Sequence, residues 1–251
     1  MESHAELRDW RQGVTPDEMR QVDRLAEEAF GLAPATLMES AGLAAARVAR
    51  SILGATVPGK VIRILTGPGN NGGDGLVAAR RLAGWGADVT VLTSYRLADA
   101  RGLSAGLIPP VTGAGVAVEE WRGQTLQADL VVDALLGFGA AGDPRGAIAA
   151  MIESCGSIPP ARLLAIDIPS GLDAATGLPS SPCVRAGTTV TLALPKVGLL
   201  QAEARPYVGR ILVADIGIPE SLLRQLGIDS RGLFAGGDMV TMDQTLPGIP
   251  S

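Results

Sequence analysis

The sequence predicts one α/β domain built on a mainly parallel sheet with helices on both faces. Three observations lead there. Short apolar strand candidates recur along the chain, and stretches of helical periodicity separate them. Apolar residues make up 47% of the 251 positions, and 33 positions are glycine, so a buried core and many tight connections are both available. Neither an internal repeat nor a low-complexity tract interrupts the alternation. Strands that are apolar throughout are buried on both sides, which is the signature of a parallel sheet between two helical layers.

The elements follow in order. Thr15-Pro16-Asp17-Glu18 opens a helix: Thr15 caps it, Pro16 suits the first helical position, and Glu18 closes a capping box. Met19, Val22, Leu25, Ala26 and Ala29 then keep helical spacing as far as Phe30. A second helix runs from about Pro34 to Ile52, with Leu37, Ala41, Ala44, Ala45 and Val48 on its inner face, and Gly54 and Pro58-Gly59 stop it. Val61–Thr66 is a buried strand, followed by a glycine-rich loop over 67–75 and a helix through Val77, Ala78, Leu82 and Ala83. Asp88–Thr93 is the next strand, and further strands are expected at 130–135, 163–168, 189–194 and 210–214, with a helix over 146–154. Periodicity fades from about Arg231, so the domain is expected to span 10–230 and to be followed by a tail or severed linker over 231–251.

Composition excludes several classes of function. The net charge is −5 and aromatics are 3% of the chain, so there is neither a basic field for a nucleic-acid backbone nor a stacking platform for its bases. The single histidine, His4, lies near the terminus, which argues against a Ser-His-Asp or Cys-His engine. Cys155 and Cys183 are too few and too far apart for a zinc site; they read as reduced thiols, with a bridge between them left open. The opening MESHAELRDW is not a signal peptide, and no run approaches the ~20 apolar residues of a membrane span, so a cytoplasmic protein is expected.

In a sheet of this kind ligands bind outside the carboxyl ends of the strands. Three polar segments fall there, over 67–75, 133–143 and 167–173. The first satisfies G-x-G-x-x-G through Gly67, Gly69 and Gly72, which makes a dinucleotide-dependent dehydrogenase a competing reading. Against it, Asp74 puts a carboxylate where a pyrophosphate would rest. The strand after it ends Thr93-Ser94-Tyr95-Arg96, with no acid for a ribose hydroxyl, although Arg96 suits a 2′-phosphate. No Gly-Lys-Ser/Thr follows, so this is not a P-loop.

Taken together the segments resemble the NAD(P)H-hydrate epimerase family, the YjeF N-terminal domain. Leu37-Met38-Glu39-Ser40-Ala41-Gly42 resembles the family's early helix, and 67–76 its GxGNNGGDG loop. Asp133-Ala134-Leu135-Leu136-Gly137-Phe138-Gly139, Asp167-Ile168-Pro169-Ser170-Gly171-Leu172-Asp173, Pro195-Lys196-Val197-Gly198-Leu199 and Asp215-Ile216-Gly217-Ile218-Pro219 follow in the family's order. The resemblance implies a Rossmann-like three-layer α-β-α sandwich, usually dimeric. It also implies interconversion of the R and S forms of NADH and NADPH hydrated at nicotinamide C6, with a potassium ion in the site. Relatives often carry a fused dehydratase; no dehydratase activity is expected of this chain, and whether a separate NAD(P)H-hydrate dehydratase serves as partner in the same pathway is left open.

The resemblance assigns the potassium ion to Asn71, Asp133 and Ser170, whose amide, carboxylate and hydroxyl oxygens suit a hard cation that tolerates neutral ligands. Asn70, Asn71, Gly72, Gly73 and Asp74, with Gly137, Phe138, Gly139, Ala140, Ala141, Gly142 and Asp143, are expected to wrap the substrate. Backbone N–H groups of glycine loops meet phosphate without lysine, so an acidic chain can still bind an anionic dinucleotide. Inversion at a carbon bearing both a ring nitrogen and a hydroxyl needs a general acid–base pair and no redox cofactor. Asp167, at the end of an apolar strand, and Lys196, one of only two lysines, are the candidates; Asp167 is also counted among the substrate contacts. A nucleotide- or protein-binding scaffold of the same fold is the third reading, since fold alone does not set function.

Overall fold

The computed structural model describes residues 7–242. A two-residue strand β1 (Arg8–Asp9) leads into helices α1 (Pro16–Glu28) and α2 (Pro34–Ile52). Strand β2 (Val61–Thr66), helix α3 (Asn70–Gly84), strand β3 (Asp88–Thr93), helix α4 (Gly102–Gly113) and strands β4 (Ala117–Glu120) and β5 (Leu130–Ala134) follow. The second half holds α5 (Gly146–Cys155), β6 (Leu163–Ile166), β7 (Thr188–Leu192), the short α6 (Arg205–Val208), β8 (Arg210–Ala214), α7 (Glu220–Gln225), β9 (Ile228–Asp229) and β10 (Met239–Met242).

Eight strands make one sheet in the order β10-β8-β7-β6-β5-β2-β3-β4, and every pairing is parallel except that of β10 with β8. The strand order turns back on either side of β2 and β5, where chain segments leave the sheet in opposite directions and open a crevice. Two apolar layers confirm burial on both faces. Ile62, Ile64, Val132 and Ile166 pack with α1, α2 and α3, while Leu65, Val131, Leu163 and Ala165 pack with Met151, Ile152 and Cys155 of α5. Asp133 alternates with Val131 and Leu135 and so belongs to the α5 face, fully buried.

The capping box at α1 forms as the sequence requires: Glu18 N donates to Thr15 Oγ1 at 3.2 Å, and Thr15 N donates to Glu18 Oε2 at 2.7 Å. The segment over 67–75 departs from expectation. It is a loop only as far as Gly69, and α3 begins at Asn70, so the asparagines and Asp74 sit on its first turns. Glycine makes this approach possible, since a Cβ on Gly67 would run into Leu135 O and one on Gly72 into Gly67 O. Two strands end two residues early. The expected 163–168 stops at Ile166 and the expected 189–194 at Leu192, because Asp167 (φ 66°) and Ala193 (φ 61°) turn left-handed.

Sequence reading did not identify α4 or the edge strand β4. Helix α4 carries Pro109 and Pro110, which mask its periodicity. The expected tail is corrected in part: Met239–Met242 adds an antiparallel edge strand, with Val240 opposite Val213 of β8. Four residues are too short for alternation to stand out. Residues 243–251 and His4 lie outside the described residues. Cys155 and Cys183 are both free, and burial pushes each thiol up, Cys183 to about 12, which leaves them without nucleophilic character. Among the described residues no helix is long and apolar enough to cross a membrane.

Candidate functional site

Four chain segments converge at the carboxyl edge of the sheet: the start of α3 and the turns after β5, β6 and β7. The two left-handed residues place the chemistry. At the end of β6 the ladder continues for one bond, Asp167 N to Val190 O at 2.7 Å, and the chain then turns, aiming the Asp167 carboxylate along the edge. Aspartate tolerates this conformation better than most residues. On the neighbouring strand Ala193 turns likewise, and the chain returns Lys196 beneath the end of β7.

Lys196 is 1% exposed, and its ammonium donates to Asp167 Oδ1 at 2.5 Å, Leu192 O at 3.0 Å and Thr191 Oγ1 at 3.3 Å. Three N–H donors meet three acceptors, so the group is fully committed. It also lies 5.5 Å from the Phe138 ring centroid, a cation–π distance. The second Asp167 oxygen, Oδ2, accepts from Phe138 N at 3.0 Å, which ties the turn after β5 to the end of β6.

A second buried cluster lies beside it. Asp133 Oδ1 accepts from Ser170 Oγ at 2.6 Å and from Leu135 N at 3.1 Å, and Oδ2 accepts from Ser170 N at 2.8 Å. Ser170 Oγ in turn accepts from Leu136 N at 3.0 Å, and Asn71 Nδ2 donates to Leu136 O at 2.8 Å. Every donor around Asp133 is neutral, so burial pushes its carboxyl up to about 6, with the hydrogen bonds from Ser170 and Leu135 opposing the rise. Asn71 Oδ1 is enclosed and has no hydrogen-bond partner. The three residues that the resemblance assigned to potassium thus all bond to the Leu135–Leu136 turn, and the orphan Asn71 Oδ1 with the neutral surroundings of Asp133 is a donor set that fits a weakly solvated monovalent cation.

Above both clusters opens a cavity of about 580 Å³, within the range of small-molecule sites. Asn70, Asn71, Asp74, Gly137, Phe138, Gly139, Ala140, Asp167 and Lys196 line it. The other expected contacts lie elsewhere. Gly72 and Gly73 pack against Gly67 and Met38. Ala141 and Gly142 border a smaller recess with Ser180, and Asp143 accepts from Ser181 N at 3.3 Å. These five shape the walls from behind.

Sequence reading missed the wall opposite. Helix α1 contributes Met19 and Asp23, and α2 contributes Leu37 and Met38, which cap the cavity with apolar surface. Asp23 had a legible signal: it stands four residues after buried Met19 and three before buried Ala26, a carboxylate on the edge of an apolar helical face. Burial raises the Asp23 carboxyl, and the Asp167 charge adds to this while Lys196 opposes it. Asp74 is raised well above the ordinary carboxylate range, first by burial and then by Asp167, with Lys196 opposing and Asp23 adding.

A parallel-sheet α/β protein with a nucleotide-sized cavity at its switch point, floored by a buried ion pair, defines the class. The model of the family described as YjeF-related protein N-terminus matches residues 34–198, so the chain belongs to that family. Among curated relatives, the bifunctional NAD(P)H-hydrate repair enzyme Nnr of Moorella thermoacetica is 40% identical over 234 residues, covering 88% of this chain and 43% of its own. The NAD(P)H-hydrate epimerase of Dehalogenimonas lykanthroporepellens is 36% identical over 241 residues, covering 91% of this chain and 92% of its own. The chain therefore spans less than half of the bifunctional relative and nearly all of the single-function one. A crystal structure of the yeast protein ynu0 superposes with a TM-score of 0.79 at 25% identity, covering 92% of this chain and 99% of that one.

Proposed function

We propose that this chain is an NAD(P)H-hydrate epimerase, an isomerase that interconverts the R and S forms of NADH and NADPH hydrated at C6. The observation that carries the reading is the Asp167–Lys196 pair at the cavity floor. Lys196 and Phe138 N hold the Asp167 carboxyl in a fixed orientation, and Asp167 lines the cavity, where a general base has to stand. The uncapped start of α3 at Gly69 and Asn70 leaves backbone N–H groups free of any side-chain cap, as donors for polar atoms of the substrate. The apolar wall of Leu37 and Met38 suits the reduced ring.

A potassium ion held by Asn71, Asp133 and Ser170 is part of the proposal. The orphan Asn71 Oδ1 and the all-neutral surroundings of Asp133 support it. Bound there, the ion supplies fixed positive charge beneath the turn that carries Gly137 and Phe138. A homodimer in the cytoplasm, working with an NAD(P)H-hydrate dehydratase activity, completes the reading; for the second activity the support is a relative named as a bifunctional NAD(P)H-hydrate repair enzyme.

Incubating the purified protein with the R hydrate and following the S form by chromatography tests the activity. S-epimer formation above the uncatalysed background is expected. Its absence, with hydride transfer from intact NAD(P)H to an added carbonyl compound instead, would replace the epimerase with a dehydrogenase.

A further inference from the structure

Three carboxyls face one ammonium in the cavity. Asp23 comes from α1, Asp74 from the first turns of α3 and Asp167 from the end of β6, and Lys196 is the cation among them. Arg24 and Glu27 stand exposed at the rim on α1, and α2 brings only Pro34, Leu37, Met38 and Ala41 to the lining. Inversion at C6 needs an acid and a base together. Lys196 cannot be the acid without giving up one of its three hydrogen bonds. Asp167 already accepts from Lys196 and from Phe138 N, so it is set as the base.

Asp74 is what remains. Its side chain is largely buried in the cavity wall, it is in none of the ion pairs among the described residues, and its carboxyl is not among the enclosed polar groups, so it opens onto the cavity. An ionised carboxylate left so would be costly, whereas a carboxylic acid has a proton to offer. Asp23 differs: it stands at the cavity mouth on α1 with its side chain only partly covered.

Resting on the epimerase reading, we propose that Asp74 is the catalytic acid of this site, giving its proton to ring nitrogen N1 of the substrate while Asp167 takes the proton of the C6 hydroxyl. The C6–N1 bond breaks, its electron pair goes to N1, and the hydroxyl oxygen becomes an aldehyde carbonyl. Rotation presents the other face of the aldehyde. N1 then attacks C6, its proton returns to Asp74, and Asp167 returns the other proton to the oxygen. Both carboxyls end as they began and no water is consumed, which suits an acid buried away from solvent. Burial and the neighbouring Asp167 charge both push the Asp74 carboxyl upward, toward its protonated form.

The test compares wild type, Asp74→Asn and Asp167→Asn in the R-to-S assay, with KM and kcat separated and pH varied. Asp74→Asn keeps shape and polarity but carries no transferable proton, so kcat should fall about 10²–10⁴-fold with KM little changed. Wild-type kcat should also decline on the alkaline side as Asp74 loses its proton. A kcat near wild type in Asp74→Asn, or a loss confined to KM, would overturn the assignment. If that variant does not fold, the wild-type profile decides: an alkaline decline in kcat supports the proposal, and a kcat that stays flat until the protein itself unfolds overturns it. No interconversion by wild type itself refutes the epimerase reading, which is a separate outcome.

Discussion

Asp133 and Asp167 end adjacent parallel strands, both are buried, and each is fixed by a turn from another strand, yet they are compensated in opposite ways. Asp167 meets an ammonium at 2.5 Å. Asp133 meets only a hydroxyl and two backbone N–H groups, and its carboxyl rises to about 6. The difference teaches what each basin is for. A carboxyl tied to a committed lysine is held in one orientation at the cavity floor. One ringed by neutral donors, beside an orphan amide oxygen, is the surrounding that the proposed potassium ion would balance.

The largest effect should come from breaking the ionised basin. Asp167→Asn keeps the shape but removes the base, and epimerisation should fall by about 10²–10⁴-fold in the chromatographic assay. Lys196→Met leaves the Asp167 carboxylate buried and unpaired, so urea denaturation should show a loss of about 3–5 kcal/mol. Lys196→Arg keeps the charge, but a planar fork does not fit three acceptors arranged around one nitrogen, and activity should drop as well.

The neutral basin should answer to cations. Titrating potassium into cation-free protein should raise stability by about 2.7 kcal/mol when the ion reaches a hundred times its dissociation constant, and sodium should do less. Asn71→Ala should abolish the response; a potassium shift that survives it would move the ion elsewhere. Ser170→Ala removes the 2.6 Å bond to Asp133 and the acceptor of Leu136 N, and a cost of about 1–3 kcal/mol in the denaturation midpoint is expected.

A smaller effect separates Asp74 from both basins. Its folded carboxyl titrates above the unfolded one, so the folded state holds more protons across that window. The stability this contributes is present below the unfolded pKa and lost as pH rises through the folded one. Asp74→Asn should therefore gain in melting temperature relative to wild type between pH 4 and pH 8. A constant difference across that range would show that Asp74 is ionised throughout. The smallest change concerns the backbone: Ala193→Gly relieves a left-handed alanine but frees the unfolded chain, for a net gain below about 1 kcal/mol by thermal melting.

Much of this was legible in the residues themselves. Continuous apolar strands announced a parallel sheet, the capping box at Thr15 and the bounds of α2 followed from local chemistry, and chain order put the polar segments at strand ends. Those are local or periodic properties, set by residues within a turn or two of one another. The structure alone decided that Gly72 and Gly73 serve packing rather than the cavity, that Ala141, Gly142 and Asp143 lie behind it, and that α1 brings Asp23 to its mouth. It also decided that Lys196 spends all three donors, and that residues near the carboxyl end form β10. Each of these depends on contacts between segments far apart in the chain. Distance, burial and charge neighbours exist only once the sheet has brought them together, so no window of sequence carries them.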